Sequence, residues 1–347
     1  MSALRRIDCH VHFVGDGSSR VVGSSGTEDA SGDACWFKLD SAWQRLQARF
    51  MLKGVGLPPA LLRGGLDEGW AAALRDMVRS SSLDAAVLLA QDIPYDDDGR
   101  PIPDKAAFYV PNDFLFEVVA SAPELFIPAI SIHPGRPDAM AELERCIARG
   151  ARVLKLLPNC LNIDCSDPRH TAFWERLAEA GIILLAHTGG EKTLPVLRPE
   201  FADPRTLALP LACGVTVIAA HLAGRSGLFD PDYTDTLLGM FAEHPRLFGD
   251  NSALSSLNRA RTAKRVLRHA ASSELGALAR ERVIHGSDLP VPITGLGGFF
   301  GGLVSRAELK AAKQIANPIE RDVQLKRAMG FGEDTFTRMD AVLQMAR

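Results

Sequence analysis

The chain has 347 residues, 46% of them hydrophobic and 23% charged, with 39 basic against 42 acidic side chains and a formal net charge of −3. This much apolar material builds a large core and excludes extended disorder, and a slightly acidic balance without a basic run argues against a nucleic-acid partner. No apolar stretch approaches the roughly 20 residues that a membrane helix needs. The opening MSALRR carries no apolar h-region, so a cytoplasmic location with neither secretory signal nor membrane partner is expected. The six cysteines, at 9, 35, 146, 160, 165 and 213, lack the spacing of a disulfide framework.

Short, nearly all-apolar runs recur at 7–11, 84–89, 126–132, 153–157, 182–186, 215–219, 247–250 and 282–285. Such runs read as strands buried on both faces. Helical patterns alternate with them: 138–149 stops at Gly150 and 171–180 at Gly181. Strands alternating with helices imply right-handed βαβ units and a parallel sheet, and eight runs fit an α/β (β/α)8 TIM barrel. An open doubly wound sheet is the rival, but no G-x-G-x-x-G follows the first run. The connection after strand one begins Gly/Ser-rich over 15–32, with mobility expected over 17–34. It then holds two helical patterns, 41–53 with Trp43, Leu46 and Phe50 on one stripe and 67–79 with Trp70, Leu74 and Met77. We read about 15–82 as an insertion over the barrel mouth, 307–347 as a helical C-terminal extension, and 1–347 as a single domain.

The first run carries Asp8-Cys9-His10-Val11-His12. Strand alternation predicts Asp8, His10 and His12 on one side, with Cys9 and Val11 on the other. Both imidazoles would then point into the barrel near the end of strand one, where they can chelate a divalent cation. His133 follows the third run in SIHPG, and Lys155 lies within the fourth in VLKLLPN. His187 follows the fifth in LLAHTGG, His221 the sixth in IAAHLAG, and Asp288 the eighth in IHGSDLP, with His285 at that run's end. Five of the nine histidines (10, 12, 133, 187 and 221) thus fall at or just beyond C-terminal strand ends. That face is where barrel active sites are built.

D-x-H-x-H on the first strand, His after the fifth and sixth, and Asp after the eighth together resemble the amidohydrolase superfamily. HTGG, IHP, SDLP and NPIERDVQLKRAMGF are similar to its amidohydrolase-2 branch, which includes aminocarboxymuconate-semialdehyde decarboxylase and many hydrolases. The resemblance covers essentially the whole barrel. It implies a (β/α)8 fold and one or two divalent metal ions, most often Zn2+, with Mn2+ or another divalent ion as the alternative. It does not fix the substrate.

By chemistry and by this resemblance, His10, His12 and Asp288 would bind the first metal, and His187 would either join them or bind a second ion with His221. Asp288 could bind with one oxygen and take a proton from water with the other. His221 is either a ligand or an acid/base group. Lys155 has three readings: a carbamylated bridge between two metals, a contact to a substrate carboxylate, or a structural ion pair. His133 either meets the substrate or caps a turn, and His285 reads as a core histidine. Asp8 is expected to share the inward face and fix a neighbour by hydrogen bonding. Glu191 either reaches the substrate or starts a helix; Arg225 either pairs with an anionic substrate or is solvated. Asn251 and Ser252 are expected near the pocket. The expectation is a metal-dependent hydrolase that cleaves a C–N or C–O bond of a small anionic molecule with an activated water. Non-oxidative decarboxylation of an unsaturated or aromatic acid is the alternative. A non-catalytic metal-binding scaffold and a nuclease rank lower, and assembly into a homo-oligomer is compatible with the sequence.

Overall fold

The computed structural model describes residues 3–19, 34–227, 230–272 and 274–346, with side chains omitted for 268–275. Most of the stretch expected to be mobile, 17–34, lies outside the described residues.

Eight parallel strands pair in chain order: β1 Ile7–His12, β2 Ala85–Leu89, β3 Phe126–Ile130, β4 Val153–Leu156, β5 Ile183–Ala186, β6 Val217–Ala219, β7 Leu247–Asp250 and β8 Val283–Ile284. The last strand is short, and the chain just beyond it joins β1. Cys9 N–H donates to His285 O at 2.9 Å, Asp288 N–H to His10 O at 2.9 Å, and His12 N–H to Leu289 O at 2.8 Å. The result is a (β/α)8 TIM barrel, as the alternation of runs predicts.

Side-chain parity divides the core in two. Ala85, Val87 and Leu89, with Ile127, Ala129, Val153, Ile183, Leu185 and Ile218, fill the barrel. Their neighbours Ala86, Leu88, Ile130, Leu154 and Leu184 pack outward against the helices. The C-terminal helix Asp334–Met345 adds Met339, Val342 and Leu343 to the inner cluster and so lies against the barrel floor.

Strict alternation on β1 fails. Ile7 pairs with Ala85 and Asp8 with Ala86, but the next partners are Val11 with Leu88 and His12 with Leu89. Cys9 and His10 together therefore oppose Val87, which is a β-bulge, a device that re-aims side chains beside active sites. Asp8 stands level with the outward-packed Ala86, so it does not share the inward face expected of it. Its Oδ1 instead accepts from the backbone N–H groups of His10 (3.0 Å) and Ser287 (2.9 Å), tying β1 to the segment after β8.

Within the insertion, helix α1 runs Ala42–Gly54 and helix α2 Leu66–Arg79. A reciprocal capping box between Ser41 and Gln44 starts α1. Trp70, Leu74 and Met77 of α2 are buried as their spacing predicts, and Trp70 Nε1 donates to His12 O at 3.1 Å. The α1 stripe behaves otherwise. Trp43, Leu46 and Phe50 are exposed, and α1 packs through Ala48 and Leu52 instead. A two-stranded antiparallel ribbon, Trp36–Phe37 with Phe108–Tyr109, completes the rim.

Candidate active site

A cavity of about 300 Å³ opens at the C-terminal ends of the strands. Its walls are mostly apolar: Phe37 and Phe108 from the ribbon, Phe50 and Met51 from α1, Leu157 after β4, and Val291 after β8. Six functional groups reach it: His12, His187, Glu191, His221, Arg259 and Asp288. Helix α1 of the insertion forms one wall.

Beneath this cavity the bulge brings the two β1 imidazoles together. His10 Nε2 and His12 Nε2 lie 3.2 Å apart, and Asp288 Oδ1 stands 3.4 Å from the first and 3.5 Å from the second. Two imidazole nitrogens and a carboxylate oxygen this close have the spacing of a set that could hold a metal ion. Tetrahedral ligands with bonds of roughly 2.0–2.1 Å to zinc sit about 3.3 Å from one another, matching each edge. His187 strengthens the fit: its Nε2 is buried with no hydrogen-bond partner among the described residues, 3.8 Å from Glu191 Oε2. Its ring centroid lies 4.9 Å from that of His221, which is 5.1 Å from His10. The residues present therefore suit a divalent cation held by His10, His12 and Asp288, with His187 placed to join.

The residue that orients this set is Asp250, at the end of β7, which the motif reading passed over. Its Oδ2 lies 2.8 Å from His10 Nδ1. Its Oδ1 accepts from the N–H groups of His221 (2.8 Å) and Ser252 (3.0 Å) and from the Ser252 hydroxyl. Burial opposes its ionisation, but His10 and His221 beside it outweigh burial and hold the carboxyl well below the usual range. An ionised Asp250 fixes the Nδ1–H tautomer of His10 and presents Nε2 to the centre, the usual carboxylate–histidine–metal arrangement. A signal for it exists in the sequence, since alternation on β7 puts Phe248 and Asp250 on the inner face.

His221 sits in strained backbone. Its φ is +58°, followed by Leu222 and Ala223 both at +52°, and Asp288 has φ +69°. Non-glycine residues in the left-handed region cost of order 1–3 kcal/mol each and cluster at functional sites. The cost is offset here by bonds from Asp250 to the His221 N–H and between His221 Nδ1 and Ser252 Oγ at 2.7 Å.

Lys155 is fully buried, with Nζ 3.2 Å from His10 Nε2. Burial pushes its ammonium down to about 8 despite the carboxylates of Asp250 and Asp288. Glu191 lies in the cavity wall with its carboxyl pushed up by burial, and Oε1 accepts from the N–H groups of Thr193 and Leu194. Burial raises Asp288 as well, but the hydrogen bond from His12 and the nearby charge of Arg259 help reverse that and hold its carboxyl below the usual range.

Two expected contacts are not brought to the cavity. His133 Nε2 is 3.0 Å from Leu161 O while the Gly135 N–H donates to Nδ1 at 3.0 Å, so both ring nitrogens are consumed by backbone and the residue closes a turn. Arg225 is absent from the cavity lining, and the arginine found there is Arg259. The Arg259 guanidinium donates to Gly224 O (2.8 Å) and Gly190 O (3.0 Å), stapling the loops after β5 and β6. Those loops touch: a Cβ on Gly189, at φ +78°, would stand 2.3 Å from Gly224 O, which explains the HTGG glycine. No sequence spacing points to Arg259, because its partners are carbonyls of distant loops. Asn251 and Ser252 lie below the cavity, where Asn251 Oδ1 accepts from Gly286 N–H at 3.2 Å and Ser252 holds His221. His285 packs on Phe336 at 4.8 Å between ring centroids, a core position as expected.

Comparison with known proteins places this geometry. A family model described as amidohydrolase matches residues 7–314. Curated proteins give no match. Among solved structures, an uncharacterised TIM-barrel protein from Bordetella bronchiseptica is 16% identical with a TM-score of 0.53, covering 94% of this chain and 100% of its own. A protein assigned as a 2-pyrone-4,6-dicarboxylic acid hydrolase from Pseudomonas putida is 15% identical with a TM-score of 0.51, covering 99% and 98%. A 2,6-dihydroxybenzoate decarboxylase from Rhizobium is 13% identical with a TM-score of 0.50, covering 100% of both chains. At these identities the likeness is one of fold.

Proposed function

The chain belongs to the amidohydrolase-2 family, and from that premise we propose that it is a divalent-metal-dependent hydrolase acting on an amide, lactone or ester of a small anionic molecule. The observation that carries this reading is the triangle of His10 Nε2, His12 Nε2 and Asp288 Oδ1, with edges of 3.2, 3.4 and 3.5 Å, beneath the cavity. A cation bound there supplies Lewis acidity toward a substrate oxygen and makes water a stronger acid. Asp288, ionised and facing the cavity, accepts the proton of the attacking water. The same carboxyl returns that proton to the leaving nitrogen or oxygen, directly or relayed through His221 beside it. Glu191 stands beside His187, with its carboxyl pushed up by burial. Arg259 contributes the buried positive charge that meets an anionic substrate, and the apolar walls exclude bulk water. Lys155 supports the centre from below, by charge or, as a carbamate, as a ligand.

Purified protein should contain a divalent metal and hydrolyse a member of a lactone, ester and amide panel. Asp288→Asn should lower turnover by roughly 10²–10⁴-fold. Unchanged turnover in a metal-replete Asp288→Asn enzyme would remove the assigned role. The aromatic walls at Phe37, Phe50 and Phe108 suit a planar unsaturated acid as well, so decarboxylation is the second reading. Release of carbon dioxide without consumption of water selects it.

A further inference from the structure

Helix α1 carries more exposed apolar surface than a packed cover helix requires. Trp43, Leu46 and Phe50, at i, i+3 and i+7, are 65%, 56% and 61% exposed, while contact with the body runs through Ala48 and Leu52. At about 100° per residue, the surface of α1 divides into sectors. Arg45, Arg49 and Lys53 form a row on one flank of the apolar stripe. Gln44, Gln47 and Met51 form the other flank and line the cavity. The cationic row and Arg63 border a surface groove of about 420 Å³. No acidic residue occurs between Asp40 and Asp67. Among the described residues no carboxylate pairs with any of these four cations, and Arg45 turns to the carbonyls of Leu39 (2.6 Å) and Asp40 (3.1 Å).

A contiguous exposed apolar stripe beside a cation row that has no carboxylate partner among the described residues is the surface of a helix that lies in a lipid interface, and tryptophan is the side chain suited to that boundary. We propose that α1 docks the barrel mouth onto an anionic lipid surface. Trp43, Leu46 and Phe50 enter the boundary between headgroups and acyl chains, and Arg45, Arg49, Lys53 and Arg63 meet the anionic headgroups. The absence of membrane partners expected from composition concerns spanning segments and overall charge; a short interfacial helix shows in neither. Charge complementarity selects lipid over a second copy: a two-fold contact through this face would bring two sets of four cations together, with no acid between residues 40 and 67 of either chain to neutralise them. Polyanionic nucleic acid would leave the apolar stripe unused. The docking also gives the cavity a neighbour, since Phe50 belongs to both the stripe and the cavity wall.

The test uses the full chain with vesicles of phosphatidylcholine alone and of phosphatidylcholine mixed with phosphatidylglycerol. Co-sedimentation is expected with the mixed vesicles and not with the neutral ones, and added salt should weaken it. Arg45→Gln/Arg49→Gln/Lys53→Gln should reduce binding roughly 100-fold. Trp43→Ser/Leu46→Ser should abolish it while leaving metal content and thermal midpoint unchanged; Phe50 is spared because it lines the cavity. Emission should shift to the blue on mixed vesicles in the wild type and not in Trp43→Phe. Failure to bind mixed vesicles at low ionic strength overturns the proposal. A wild-type dimer that Trp43→Ser/Leu46→Ser converts to monomer also overturns it, since a second copy would then cover the face. Duplex DNA binding that survives loss of Trp43 and Leu46 but not of the cations overturns the choice of lipid.

Discussion

Single carboxylates and imidazoles set the site's chemistry through their hydrogen bonds, and Asp250 is the clearest case. It accepts from His10 Nδ1–H at 2.8 Å, so the opposite nitrogen, Nε2, is left without a proton and free to bind a cation. In Asp250→Asn the new amide can donate to Nδ1 and move the ring proton to Nε2, the wrong nitrogen. Divalent-metal affinity should fall about 10–100-fold, measured by competition with a chromophoric chelator. An unchanged affinity would mean that the His10–Asp250 contact is structural only. His133 makes a different prediction. Burial first, and the nearby charge of His170 next, push it down to about 3 from an ordinary value near 6.5. Its Nδ1 accepts from Gly135 N–H and cannot accept a proton without losing that bond. The unfolded chain therefore binds this proton more readily than the folded one. The stabilisation is complete above pH 6.5 and is lost as pH falls below it, at up to about 1.4 kcal/mol per pH unit. Between pH 7 and pH 5 this one residue should cost about 2 kcal/mol. His285, lowered by burial and the charge of Lys326, adds in the same direction. Urea unfolding across that range should show the decline, and His133→Gln should make it shallower by about 2 kcal/mol between pH 7 and pH 5.

At the scale of elements, helix Pro318–Met329 does more than cover the barrel. Its Lys326 and Asp322 are both fully buried, with Nζ 2.5 Å from Oδ2. Lys326 also donates to Gly286 O, two residues before Asp288, and Ser255 donates to Asp322 Oδ1 at 3.1 Å. Removing one partner of a buried pair leaves an unpaired charge and costs about 3–5 kcal/mol. Lys326→Met should lose that much in urea unfolding, and Asp322→Leu/Lys326→Met should recover most of it. A cost as large in the double variant would assign the effect to packing. The pair was invisible to spacing alone, because i,i+4 charges on a helix are normally solvated and only the fold shows what covers them. Periodicity was informative for α2, whose Trp70, Leu74 and Met77 are buried, and misleading for α1. The period identifies one face of a helix, and whether that face meets protein is decided by neighbours far away in sequence. The bulge on β1 escaped for a related reason. Alternation predicts which residues share a face only while the register holds, and at Cys9 and His10 the pairing with β2 breaks it.

For the whole molecule, the barrel was legible because eight buried parallel strands must be nearly all apolar, and that composition survives without any knowledge of pairing. The centre was legible because the same barrel puts every C-terminal strand end on one face, so His10, His12, His187, His221 and Asp288 could be grouped before their distances were known. The supports were not: Arg259 reaches carbonyls after β5 and β6, and Asp8 bonds backbone across the closing seam. The candidate centre spans that seam, since β1 would supply two ligands and the segment after β8 the third. A cation bound there links the first and last strands of the barrel, and an unfolded chain with residues 12 and 288 far apart has no such site. Binding to the folded state alone stabilises by about 2.7 kcal/mol at a free ligand concentration 100 times the dissociation constant. For a chain of this length that is a rise of a few degrees in thermal midpoint. Scanning calorimetry of chelator-treated protein should show this rise on adding zinc or manganese, with a magnitude that grows with the logarithm of metal concentration. In His12→Ala and in Asp288→Ala the rise should disappear although both variants keep His10 and His187. A rise that persists in both would locate the metal elsewhere and separate the stability of the barrel from the seam.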